Sequence, residues 1–413
     1  MTPESTMKPR LLMLTPVWPD DKGVGIQRRA AALLGGLAAR FAVDLRVVPV
    51  FGATEADLPT GADTARVLDA EAVQDTLVRL AERIGDPAAR TQMLDRTPLP
   101  RLARFSTPAA ADAIAAGLEA PPDAVLINRL YLAPLWPLLK RRIGRPARVV
   151  LDLDDDEPLT QRRLADLSER LGDPAGAAAL RKEADKYEAL SGSLFAGFDA
   201  VGVCSEQDRA RLGAAHPDAR FELLPNTYGP ARSARDRRAA GPLRLLFVGA
   251  LDYLPNIDAA LYLCLRLLPQ LRASLGDQVE LTIAGRDPAP AVAQACPEAA
   301  ATLVANAEAL EPLYDAADIA LVPLRAGGGT RIKILEAFAT RVPVISTPIG
   351  AEGLDLDHER HLLLADLDGF AEACLRLHAD PGLGRALAEA GAERLTQAHG
   401  PEALARGLDA LFA

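Results

Sequence analysis

Asp318 to Leu354 reads DIALVPLRAGGGTRIKILEAFATRVPVISTPIGAEGL, and this stretch decides the fold. Asp318 to Leu324 is a short apolar run closed by a glycine-rich loop, the pattern of a buried parallel strand. Gly327, Gly328 and Gly329 leave that loop almost bare of side chains. Thr330 is a good helix N-cap. From Arg331 to Thr340 the apolar positions Ile332, Leu335 and Ala339 form one stripe, with Ile334 and Phe338 beside it. A strand therefore runs through a bare loop into a helix start. Free backbone N–H groups there, together with the helix dipole, make an anion site of roughly half a positive charge. Arg331 and Lys333 add full charges to it.

Lys333 and Glu336 are three residues apart and share a helix face, which places a carboxylate one turn behind the cationic end. A nucleotide diphosphate fits that order, with pyrophosphate at the helix tip and ribose hydroxyls on the carboxylate. The plainer alternative is an i,i+3 salt bridge on an ordinary βαβ helix. A second strand, Val342 to Thr347, leads into the small-residue loop Ile349-Gly350-Ala351-Glu352-Gly353. Two such loops side by side at strand ends form a crevice.

The run from Pro323 to Leu354 resembles the C-terminal signature of the group 1 nucleotide-sugar glycosyltransferases, a retaining family of GT-B type. The shared pattern is PLR, a glycine-rich turn, T-R-[IL]-K-x-L-E-A, then PV and a G-x-E-G-L ending. The resemblance implies an α/β fold, GT-B, with two Rossmann-like domains facing across a cleft. It implies an N-terminal acceptor-side domain over residues 1–226, a linker over 227–242, a nucleotide-sugar domain over 243–398, and a helix over 399–413 packing back toward the first domain. Leu243 to Val248 running into Gly249-Ala250-Leu251-Asp252-Tyr253 and Pro255-Asn256 is a further family signature. Many relatives carry an Arg and a Lys in that turn for the donor phosphates; both are missing here, which shifts the duty to Arg331 and Lys333. Gly249, Gly327, Gly328, Gly329, Thr330 and Glu336 are then expected to bind the donor. Glu308, after the short strand Leu303 to Ala307, is expected beside the nucleobase. The wider family has E-x7-E, and Gly328 stands where the first glutamate would touch the donor sugar.

The length, 413 residues, fits two domains rather than one core. With 46 basic and 56 acidic residues the formal charge is −10, which argues against a general nucleic-acid binder. Cys204, Cys264, Cys296 and Cys374 are widely spaced, without a CxxC pair, so neither a zinc ribbon nor a disulfide framework is indicated, and a reducing cytoplasm is the expected setting. The apolar run Leu11 to Leu14 is too short for a signal peptide, and no run is long enough to span a bilayer.

In the N-terminal half, Leu11 to Leu14 reads as the first strand, and Thr15 to Ile26 as a long loop before a helix opening near Gln27. By the resemblance, Gly23, Gly25 and Gln27 lie at the cleft. Val43 to Val50 is a second strand, and Thr54 to Ala120 reads as helical and polar. Ala124 to Ile127 is a strand ending at Asn128-Arg129, where relatives often hold a histidine near the donor sugar; Asn128 or Arg129 would take its place. Arg129, Lys140, Arg141, Arg142, Arg145 and Arg148 surround an apolar run that includes Trp136, without an acidic residue between Ala124 and Leu151. That combination suits an anionic membrane or a lipid-diphosphate acceptor, at about 1 kcal/mol per basic residue; a solvated helix end is the alternative. Arg148 to Leu153 runs into an acidic turn. Asp152-Leu153-Asp154 matches the D-x-D that holds a metal in GT-A transferases, but the resemblance instead places Asp154 on the acceptor side. Ala200 to Cys204 and Phe221 to Leu224 are the remaining strands of this half.

The expected activity is a hexosyl transfer from a nucleotide-diphosphate sugar to a glycan, lipid-linked or small acceptor in polysaccharide or cell-envelope glycan synthesis. Neither a metal nor another cofactor is expected. The alternatives are a GT-B phosphorylase or epimerase, and an inactive glycan-binding subunit.

Overall fold

The computed structural model describes residues 8–232 and 241–413. The chain divides into two units. One comprises the chain up to Ala165, Asp173–Thr227 and Pro401–Ala413; the other comprises Asp166–Gly172 and Tyr228–Gly400. Of the linker expected over 227–242, residues 233–240 lie outside the described residues.

The first unit holds β1 (Arg10–Thr15), β2 (Ala42–Val47), β3 (Thr64–Val67), β4 (Ala124–Asn128), β5 (Arg148–Asp152), β6 (Ala200–Val203) and β7 (Phe221–Leu223). They form one sheet in the order β3-β2-β1-β4-β5-β6-β7, parallel throughout. Side chains alternate across it: Leu12 and Leu14 join a core on one face, and Leu11 and Met13 a core on the other. Burial on both faces is why the central strands β1 and β4 read as nearly unbroken apolar runs. The last helix, Pro401–Phe412, is amphipathic, and its Leu404, Leu408 and Leu411 enter the second of these cores.

The second unit holds β8 (Leu243–Val248), β9 (Val279–Gly285), β10 (Thr302–Ala305), β11 (Ile319–Val322), β12 (Val344–Ser346) and β13 (Leu363–Leu364). Their order is β10-β9-β8-β11-β12-β13, again all parallel. In each sheet the strand order reverses once, between β1 and β4 and between β8 and β11. Loops leaving the carboxyl ends of those strands part there, and the crevice between them is where open α/β sheets bind ligands.

Several elements differ from expectation. Thr64–Val67 is a strand inside the stretch read as helical: four residues at a sheet edge, half of them exposed, are too few to show a period. β13 has only two residues and left no readable pattern. The first helix starts at Gly25, two residues before Gln27. The helix after the glycine loop runs Ile332–Ala339 with Arg331 at its N-cap, so Thr330 is not the cap. Arg331 itself is outside helical geometry (φ −80°, ψ 83°), and its guanidinium folds back onto the carbonyls of Gly328 and Gly329, so the helix begins one residue later than composition suggested. Among the described residues no helix is long and apolar enough to cross a membrane.

Candidate functional site

At the second unit's reversal point, β8 leads into Gly249. A Cβ there would fall 2.7 Å from Asn256 Cγ, and one on Gly285 would overlap the Gly249 carbonyl oxygen, so neither position has room for a side chain. This close backbone approach sets Asn256, whose Nδ2 donates to the Ala250 carbonyl at 3.0 Å. Asn256 thus sits in the first turn of the helix Leu254–Tyr262 with its Oδ1 turned to the neighbouring loop.

Across the reversal point, β11 leads through Pro323, Leu324 and Arg325 into the glycine loop. Gly327 (φ 119°) and Gly329 (φ 64°) adopt backbone conformations that favour glycine. Arg331 is buried, and its guanidinium donates to the carbonyls of Gly328 and of Gly329 (2.6 Å), with a longer contact to Ile349 at 3.4 Å. It therefore holds the loop shut on itself rather than standing as an open cation. Thr330 Oγ1 is buried without a partner among the described residues.

Lys333 is half-buried and donates from Nζ to Asn256 Oδ1 at 2.8 Å, tying the helix after β11 to the helix after β8. Its ammonium also lies 4.4 Å from the centroid of the Phe247 ring, a cation–π contact. Burial, reinforced by the Arg331 charge and opposed by Glu336, pushes the Lys333 ammonium down to about 7. An arriving anion would restore its charge. Glu336, on the same helix, is buried and accepts from the Tyr314 hydroxyl at 3.0 Å. A contact that sequence reasoning did not foresee lies beside these. Arg325 donates from Nε to Asp258 Oδ2 at 2.8 Å and forks to Oδ1 through NH2. On the β12 side, Thr347 caps the single turn Pro348–Ala351, accepting from Gly350 N at 2.9 Å. Glu308 is exposed, beyond the end of β10.

The first unit carries a different arrangement at its own reversal point. Arg29 is buried and forks onto Asp152, which also accepts from Asn128 Nδ2 at 2.6 Å. Arg29 NH1 donates to Asn226 Oδ1 at 2.9 Å, and Asn226 Nδ2 donates to Asp154 at 3.0 Å. Arg129 donates to the other oxygen of Asp154 at 2.8 Å and approaches Glu157 at 3.6 Å. Burial raises the Asp154 carboxyl, but Arg29 and Arg129 beside it win and hold it below the usual carboxylate range. Glu157 has burial only partly offset by Arg129 and stays well above that range. Arg129 (φ 85°) and Asp154 (φ 59°) both adopt left-handed backbone, a conformation costly outside glycine. Asn128, Arg129 and Asp154 are thus brought together, with Arg29 and Asp152 at the centre; only the fold could show that residues this far apart in sequence meet. The Asp152-x-Asp154 carboxylates are turned to guanidinium groups, and among the described residues no cluster of His, Cys, Asp or Glu is arranged for a metal.

Gly23, Gly25 and Gln27 stand at the start of the helix Gly25–Ala38. Gln27 Oε1 accepts from Val24 N at 3.2 Å, its Nε2 donates to the Trp18 carbonyl at 3.4 Å, and a Cβ on Gly23 would collide with it. Of the basic segment, Arg142 bonds Asp112, Arg145 bonds Asp199 and Arg148 reaches the Ala413 carbonyl. Leu135, Trp136 and Leu139 are buried, so the apolar face expected to meet lipid is core; Lys140 and Arg141 remain exposed.

Residues 242–380 match the family model described as glycosyl transferases group 1. No curated protein matches the chain in sequence. Among solved structures the chain is similar to sucrose-phosphate synthase from Thermosynechococcus elongatus (19% identity, 98% of each chain covered, TM-score 0.66). It is also similar to HepE from Anabaena, solved in complex with UDP and glucose (12% identity, 97% of this chain and 98% of that one, TM-score 0.62). A third similar structure is a trehalose-6-phosphate synthase studied for glycosyl transfer with retention (14% identity, 97% and 98% covered, TM-score 0.62).

Proposed function

We propose that this chain, a GT-B glycosyltransferase with a group 1 domain, moves a hexose-type sugar from a nucleotide-diphosphate donor to a glycan, lipid-linked or small acceptor, with retention. One observation carries the reading: Lys333, seated on Asn256 across the β8/β11 reversal point, beside a glycine loop with a helix start behind it. As the bond from the anomeric carbon to the diphosphate oxygen breaks, negative charge gathers on the leaving phosphate. A fixed donor placed where such charge develops is typically worth about 2.7–4 kcal/mol. Lys333 and the loop N–H groups supply that stabilisation without a metal. Glu336 holds the donor's ribose hydroxyls. The new bond forms from an acceptor hydroxyl oxygen to the same carbon, on the face the diphosphate left, and the hydroxyl's proton passes to the departing diphosphate oxygen. The acceptor is proposed to meet the first unit around Asn128, Arg129 and Asp154. The four buried free thiols suit a reducing compartment, and the product class is a polysaccharide or cell-envelope glycan.

The test is thermal stabilisation by UDP-, GDP-, ADP- and CDP-sugars, followed by nucleoside diphosphate release in EDTA. A donor at 100 times its Kd raises stability by ~2.7 kcal/mol. UDP-sugars head the panel because the similar HepE structure holds UDP. Binding without turnover toward any acceptor would favour an inactive subunit, and loss of turnover in EDTA with rescue by manganese would refute metal independence.

A further inference from the structure

The proposed function leaves a charge unassigned: a diphosphate carries more negative charge than one ammonium with a depressed pKa can meet. Arg331 is turned onto backbone carbonyls, with NH1 on those of Gly328 and Gly329 and NH2 toward that of Ile349. The Gly249–Tyr253 turn has no cation.

Arg325 stands at the right place. It lies three residues past the end of β11, on the segment entering the glycine loop, and reaches the helix that follows β8. With Lys333–Asn256 it makes the second bridge across the reversal point. Its side chain is about one-third exposed at 32%, whereas that of its partner Asp258 is 4% exposed. Asp258 takes Nε and one NH2 hydrogen, fixing the plane of the guanidinium and leaving the NH1 edge without a partner among the described residues. A fork held by a buried carboxylate on one edge is oriented for a second planar anion on the other. A pair made only for stability at such exposure would contribute little.

We propose that Arg325, oriented by Asp258, is the guanidinium that binds the donor diphosphate in this site, with Asp258 as its positioning residue. The assignment rests on the donor-binding reading above. It gives the loop sequence P-L-R a role separate from T-R-I-K: Arg331 shapes the loop, Arg325 meets the phosphates, and Lys333 meets the charge that appears on departure.

The experiment titrates UDP, GDP, ADP and CDP, and the matching nucleosides, into wild type, Arg325→Gln and Asp258→Asn by calorimetry. Losing a charge-assisted pair weakens binding roughly 10- to 100-fold, so Arg325→Gln is expected to lose that much against the diphosphate wild type prefers, with its nucleoside unchanged. Asp258→Asn is expected to lose less, in the same diphosphate-over-nucleoside ratio, which a purely structural residue would not move. Unchanged diphosphate affinity in Arg325→Gln, or equal losses for diphosphate and nucleoside, overturns the assignment while leaving the donor site standing. A wild type that binds none of the four diphosphates overturns the functional reading and the assignment together. Should Arg325→Gln fail to fold, Arg325→Lys keeps the charge without the fork: a diphosphate-selective loss supports the proposal and wild-type affinity overturns it.

Discussion

Lys333 is held by opposing influences: desolvation and Arg331 press its proton off, while Glu336 and the Asn256 carbonyl oxygen favour keeping it. With a pKa near 7 in the empty site, a diphosphate that raises it makes binding take up a proton above neutral pH. Donor affinity should therefore weaken as pH rises from 7 toward 9. Calorimetry in buffers of different ionisation enthalpy should show fractional proton uptake in wild type and none in Lys333→Met. The sign for stability is opposite. The folded form holds this proton less tightly than the unfolded chain, so Lys333 costs stability at and below about pH 7 and the cost fades as pH climbs toward the ordinary lysine value. In turnover, Lys333→Ala should lower kcat by roughly 10²–10³ with a smaller change in donor KM, because its charge matters most as the phosphate leaves. Glu336→Gln should chiefly raise KM, since ribose hydroxyls are bound alike before and during the reaction. If both variants instead lose kcat and unliganded Tm in parallel, the two residues are structural and the donor lies elsewhere.

At the scale of elements, the donor loops are shaped by where side chains are forbidden. Gly285→Ala should lower Tm and donor affinity together, because its Cβ would strike the Gly249 carbonyl, a backbone atom that must then move with the turn bearing Asn256. Overpacking of this kind typically costs about 1–3 kcal/mol. Gly384→Ala is the control: its nearest neighbour would be Pro343 Cγ at 3.7 Å, so helix propensity should leave it neutral or slightly stabilised. Periodicity and loop composition made the long elements readable: Leu243–Val248 and Pro401–Phe412 stand where their apolar patterns put them. Short edge strands such as Thr64–Val67 carry too few residues to declare themselves. Side-chain direction was the least legible feature. Arg331 looked like an open cation until its guanidinium was found on the loop carbonyls, and the partners of Lys333 and Arg325 lie 77 and 67 residues away in sequence. Arg29, to which the sequence alone assigns no role, proves to be the hub of the first unit's ion network.

For the whole molecule, contact with lipid is limited by what the folded surface exposes. Lys140 and Arg141 are the members of the basic segment left exposed on the helix Leu135–Ile143, and at about 1 kcal/mol each they support only marginal attraction to anionic vesicles. Flotation with phosphatidylserine vesicles should show weak binding that disappears by about 0.15 M salt, where screening reaches within about 8 Å. Reversing both charges should remove it without altering donor hydrolysis.

The helix Pro401–Phe412 has a bearing on how the molecule is made. It completes a core whose other buried members run from Leu11 to Leu224, and the main segment of the second unit, Tyr228–Gly400, lies between them and this helix. During synthesis domains generally fold as units with the N-terminal one first, but here the first unit must wait for Pro401–Phe412, made after the second unit, to emerge. The second unit has all its parts by Gly400 and can close before Pro401–Phe412 has emerged. Chains stalled through a linker that places Gly400 just outside the ribosome should therefore resist protease across 243–395 while remaining sensitive before Thr227, and moving the stall until Pro401–Phe412 has emerged should protect both.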